Sequence, residues 1–148
     1  MSFAYRILWV GRKANDPLLE AGDDYAKRLE HYAPLERLMV RESDMAGERD
    51  GLLKLIKPAD VVVALDERGK EPTTMELAGW CRQWMERAAP VALVLGGADG
   101  LHPDVKARAR TTMALSRLTL PHRMAQMLLL EQLYRAHTIL RGEKYHRV

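Results

Sequence analysis

Residues 91–101 read VALVLGGADGL, and residues 61–65 read VVVAL. Continuous apolar runs of this length, rich in β-branched residues, belong to strands buried on both faces, as in a parallel sheet covered by helices. Glycines at positions 96, 97 and 100 end the longer run in backbone without side chains, where a ligand can approach the main chain closely. A tight link from strand to helix calls for glycine as well, so the loop is read either as a ligand site or as a structural turn.

Working outward, Phe3–Val10 (FAYRILWV) is a buried strand that stops at Gly11. Asp16 followed by Pro17 starts a helix, in which Leu18, Tyr25, Leu29 and Tyr32 recur at helical spacing as far as Pro34. Leu35–Glu42 reads as a second strand, Glu48–Lys57 as a helix stopped by Pro58, and Asp66–Glu71 as the loop after the Val61–Leu65 strand. Thr73 and Glu76 stand at capping-box spacing and open a helix through Arg87. Beyond the glycine loop come a short helix over His102–Arg110, a fifth strand over Ala114–Leu120 and a long helix over Met124–Leu140. Strand and helix in alternation predict an α/β fold, a mainly parallel sheet flanked by helices, forming a single domain over residues 1–148.

The 148 residues are 47% hydrophobic, enough for a core without a disulfide framework or metal clip. The single cysteine, Cys81, falls inside an amphipathic helix and reads as inert packing. The apolar stretch Ile7–Val10 is too short for a secretory signal or a spanning helix, so a cytoplasmic protein without membrane association is expected. Net charge is +3, unevenly spread: residues 106–148 carry nine basic and two acidic groups, while the rest of the chain is net acidic. Basic charge gathered in one segment is the footprint of a polyanion binder.

Several chemistries lack their residues. The loop has neither G-x-G-x-x-G nor the Lys-Ser/Thr of a P-loop. His31, His102, His122, His137 and His146 show no metal-ligand spacing, and no G-x-S-x-G elbow is present, so neither a metal nor covalent hydrolysis is expected. The final helix is apolar on more than one face, which a position inside the monomer or a second chain packed against it would each explain. Glu131 and Arg135, four apart within it, can pair.

Three segments go further: LGGADGL (95–101), LSRLTLPH (115–122) and EQLYRAHTILRGEKYHR (131–147). In order and spacing they resemble the bacterial ribosomal large-subunit pseudouridine N3-methyltransferase family, minimal members of the SPOUT class of knotted methyltransferases. The resemblance implies a deep trefoil knot in the C-terminal half, which forms the pocket for S-adenosylmethionine. On matching positions the cofactor contacts would be Leu65, Gly96 and the run Leu115, Ser116, Arg117, Leu118, Thr119 and Leu120. It implies a homodimer in which one protomer's C-terminal tail completes the other's pocket. The implied substrate is a pseudouridine of 23S ribosomal RNA, methylated at N3 in the joined 70S ribosome. The sulfonium methyl carries the hard chemistry, leaving the protein alignment and a route for the N3 proton. His146 is then the candidate for proton handling, with Arg147 and Arg135 for phosphate or anion contacts and Tyr145 for stacking or orienting the base. Glu131 is expected to hold Arg135, and His122 to orient the start of its helix. The rival readings are a SPOUT enzyme acting on another RNA, such as transfer RNA, and a ribosome-binding factor without catalysis.

Overall fold

The computed structural model describes residues 2–147 and shows five strands alternating with five helices. The strands are β1 (Ala4–Gly11), β2 (Leu35–Arg41), β3 (Val61–Lys70), β4 (Pro90–Leu95) and β5 (Thr111–Met113). All pairings are parallel, in the order β2-β1-β4-β3-β5. Helices α1 (Pro17–Leu29), α3 (Thr74–Arg87) and α5 (His122–Leu140) cover one face, and α2 (Met45–Leu55) and α4 (Pro103–Arg108) cover the other. The central strands are buried on both sides, as their unbroken apolar runs require: Val62, Val63 and Ala64 of β3 and Val91–Leu95 of β4 are nearly inaccessible.

Local signals account for the helix starts. Asp16 caps α1 through Leu18 N at 2.8 Å, and Thr73 and Glu76 form the reciprocal capping box of α3. Two expectations are corrected. Asp66–Glu71 is not simply a loop, because β3 runs on to Lys70. Leu65 and Lys70 both oppose Met113, so residues 66–69 arch out between two points of pairing with β5. Gly69 permits the return: a Cβ there would lie 2.6 Å from the Thr112 carbonyl carbon. The fifth strand is Thr111–Met113 rather than Ala114–Leu120, since the chain leaves β3 after Ala114 and continues as irregular structure. The apolar residues of that segment face a cleft instead of a sheet neighbour.

Helix α5 packs against both α1 and α3, burying Leu129, Leu130, Leu133 and Ala136, which accounts for much of its apolar content within one chain. Beneath it, the Tyr5 hydroxyl and His137 Nε2 lie 2.7 Å apart. Burial raises Tyr5 well above its usual range and lowers His137 to about 4, so the hydroxyl donates to a neutral ring. Below pH 6.5 the unfolded chain takes up a proton that the folded chain refuses, so stability falls as pH drops from 6.5 towards 4. Between pH 7 and pH 5 this linkage is expected to remove about 2 kcal/mol. Urea titrations of the wild type and His137→Gln measure it: the variant should lose this part of the pH dependence. Burial also pushes the Cys81 thiol up to about 12, in keeping with an inert side chain.

Among the described residues no helix is long and apolar enough to cross a membrane, and no group of three or more His, Cys, Asp and Glu gathers to hold a metal.

Candidate active site

The C-terminal ends of β3, β4 and β5 open into a cleft of about 400 Å³, a size ordinary for a small-molecule site. Three segments wall it: the arch after Leu65, the loop Gly96–Leu101, and Leu115–His122. Position Gly96 is sterically fixed, since a Cβ there would stand 2.5 Å from the Gly100 carbonyl. Gly100 itself adopts φ +77°, the left-handed conformation that lets the loop fold back on Gly97.

Seven of the eight residues expected around a cofactor line this cleft: Leu65, Gly96, Leu115, Ser116, Leu118, Thr119 and Leu120. Arg117 does not; its side chain points to solvent and pairs with Glu71 at 2.7 Å. Leu118 leaves 74% of its surface exposed, an apolar side chain without a protein partner at the mouth of a cavity. The arch contributes Asp66, Glu67 and Arg68 to the lining, residues given no role from sequence. Asp66 is lowered by its 2.7 Å bond from Lys106, and Glu67 accepts from Thr119 at 3.0 Å. His122 is the first residue of α5, two before the expected start at Met124; the helix start carries no side-chain cap, and His122 reaches the cleft, its buried Nε2 without a protein partner. The LTLPH spacing carried that signal, yet a histidine at a helix start reads equally well as structural.

Tyr145, His146, Arg147 and Arg135 do not line this cleft. Three of them gather instead on α5 of their own chain, around the buried carboxylate of Glu131. Glu131 Oε2 accepts from Arg135 Nη2 at 2.7 Å and from the Tyr145 hydroxyl at 2.8 Å, while Oε1 accepts from Gln132 at 2.7 Å. Arg135 Cζ stands 4.6 Å above the Tyr145 ring, which meets Tyr134 edge-on at 4.6 Å. Burial and the adjacent carboxylate raise the Tyr145 hydroxyl, so it remains a donor. His146 Nδ1 lies 3.2 Å from Arg135 Nη1. Because a guanidinium can only donate, Nδ1 is the acceptor and the neutral ring carries its proton on Nε2. Arg147 is exposed.

The charge count of the C-terminal segment is partly neutralised in three dimensions. Lys106, Arg117, Arg123 and Arg135 pair with Asp66, Glu71, Asp16 and Glu131, three of them acidic partners from the N-terminal half. Arg108, Arg110, Arg141, Lys144 and Arg147 remain outside ion pairs among the described residues, all of them exposed.

A family model described as "Predicted SPOUT methyltransferase" matches residues 3–146. The chain is 48% identical to the ribosomal RNA large subunit methyltransferase H of Anaeromyxobacter dehalogenans (strain 2CP-C), over 96% of this chain and 98% of that one. It is 47% identical to the protein of the same name from Paraburkholderia xenovorans, over 96% and 97%. Among solved structures, a probable methyltransferase from Bordetella pertussis shares the fold with a TM-score of 0.60 at 16% identity, covering 92% of this chain and 94% of that one.

Proposed function

From the chain's membership of the SPOUT methyltransferase family, we propose that it transfers a methyl group from S-adenosylmethionine to N3 of a pseudouridine in 23S ribosomal RNA, within the joined 70S ribosome of the bacterial cytoplasm. The observation that carries this reading is the convergence of the 65–69 arch, the glycine loop and the LSRLTLP segment on one cleft. The near-full-length relatives named for large-subunit ribosomal RNA support the substrate class.

The residues present fit the cofactor. Apolar walls from Leu65, Leu115 and the unpartnered Leu118 suit an adenosine and a methionine chain, and exposed loop backbone suits their polar edges. The orphaned His122 Nε2 offers one more polar contact. When bound, S-adenosylmethionine supplies an electrophilic methyl on a cationic sulfur. The chain's own residues must then position the base, exclude water and deal with the N3 proton. His146, presenting Nε2–H, is suited to stabilise the negative charge that develops on the base and is the residue assigned to the N3 proton. Arg147 and Arg135 supply cations for phosphate, and Tyr145 a ring for the base.

That these four residues lie outside the cleft of their own chain favours a homodimer, in which the tail of one protomer serves the cleft of its partner. The trefoil knot belongs to the same reading, through the family.

Labelled S-adenosylmethionine, incubated with joined ribosomes from a strain lacking the modification, is expected to place label on a single large-subunit pseudouridine, located by nuclease digestion and mass spectrometry. Label on transfer RNA and none on ribosomes would overturn the substrate assignment. Gly96→Ala is expected to weaken cofactor binding at least tenfold by calorimetry, because the added methyl meets backbone that must move to admit it.

A further inference from the structure

A second cleft, of about 780 Å³, opens beside β1 and β2 on the same edge of the sheet as the first. Trp9, Met39 and Leu19 give it an apolar floor, and Arg12, Lys13 and Arg37 give it a cationic rim. Trp9 pairs in register with Leu95, which lines the cofactor cleft, so both side chains leave the sheet on the same face. The ion pair of Asp16 and Arg123, at 2.8 Å, ties the start of α1, next to Asn15 of this cleft, to the start of α5, next to His122 of the first.

The charge in this cleft is mostly free. Arg37 is held by Asp23 at 2.8 Å, with its guanidinium 5.7 Å from the Trp9 ring centre. Arg12 and Lys13 are exposed and join no ion pair among the described residues. The indole edge packs over Gly11, where a Cβ would stand 3.2 Å from Trp9 Nε1. An aromatic floor with unpaired cations at its rim is the chemistry that receives an unstacked base and its phosphates.

We infer that the Trp9 cleft docks a single-stranded RNA nucleotide flanking the one to be modified, its base against the indole and its phosphates against Arg12 and Lys13. The inference rests on the proposed RNA substrate and adds a location that the methyl-transfer site does not supply. Two clefts on one edge of the sheet suit one continuous strand of RNA. The contribution to affinity is electrostatic and stacking, without reading of the base edge.

Binding of the full-length protein to joined 70S ribosomes, followed by cosedimentation across a salt series, tests this. Arg12→Gln/Lys13→Gln changes two exposed side chains and is expected to weaken ribosome binding about tenfold, reducing the slope of log affinity against log salt by about 1.4. Trp9→Ala is expected to weaken it by tenfold or more. S-adenosylmethionine affinity and the protein's mass in solution should match the wild type in both. Wild-type affinity and salt slope in the double variant would overturn the inference while leaving the proposed function standing. A changed mass in step with the loss would also overturn it, by assigning the cleft to a second copy of the chain. A wild-type protein that binds no ribosomes would instead remove the reading on which the inference rests.

Discussion

Removal of residues 145–148 is expected to lower the rate of methyl transfer by about 10²–10⁴, the contribution of a positioned proton-handling group, and to lower S-adenosylmethionine affinity far less. The separation of the two effects follows from geometry. The cleft that fits the cofactor is walled by residues 65–69, the glycine loop and Leu115–His122, and none of the tail lines it. The tail instead rests on α5, where Tyr145 caps a carboxylate already bonded to Arg135. Truncation withdraws Tyr145 and His146 and frees Arg135 from its ring contact, but leaves the cofactor loops in place. Single-turnover rates with ribosomes, set beside calorimetric cofactor binding, measure the two quantities independently. His146→Ala should reproduce most of the rate loss and Tyr145→Phe a smaller part. A truncated protein with wild-type turnover would exclude the tail from the chemistry.

The largest loss of stability is expected at the opposite end of the sheet. Arg6 and Asp60 form an ion pair at 2.6 Å with both side chains almost wholly buried. Asp60 Oδ2 also accepts from Lys57 N at 2.8 Å, and Arg6 Nη1 reaches the Leu55 carbonyl at 3.0 Å, so the pair closes the end of α2 onto β1. Asp60→Ala leaves the buried guanidinium with only the half-exposed Glu36, 3.6 Å from its Nε, as counter-charge and is expected to cost about 3 kcal/mol. Against a total of about 5–15 kcal/mol for a domain, that is enough to bring the midpoint of unfolding close to working temperature. Replacing both partners, as in Arg6→Met/Asp60→Ala, should recover part of the loss, since the uncompensated charge rather than the lost attraction dominates. Urea unfolding of the single and double variants measures the coupling.

How far the sequence could be read depended on what each signal reports. Val61–Leu65 and Val91–Leu95 announced themselves as buried parallel strands because burial on both faces leaves no position for a polar residue. The capping box at Thr73 was equally plain, being a local hydrogen-bond pattern. The arch over residues 66–69 was not, since two separated segments pairing with one Met113 is a fact of tertiary register. Leu115, Leu118 and Leu120 looked like strand core because apolar side chains facing a cleft have the same composition as those facing a neighbour. The residues expected around the cofactor came from the resemblance carried by three motifs, not from periodicity, and composition could not show that within that run the Arg117 side chain turns outward to Glu71. The Trp9 cleft went unnoticed because its parts come from β1, the loop that follows it, and β2, a grouping that only the sheet order creates.

The strand order also governs how the chain must come together. Strands β1 and β3 do not touch; β4 lies between them and pairs with both. Until residues 90–95 have been synthesised, the two earlier strands can hold no native place beside each other, and each keeps an unpaired edge lined with apolar residues. The strand that closes the middle of the sheet is therefore the fourth of five to be made, a non-local step whose loop-closure cost precedes its reward. A nascent chain of this protein is most vulnerable to aggregation in the interval before β4 arrives, and a holdase acting on the ribosome would matter there more than at any later stage.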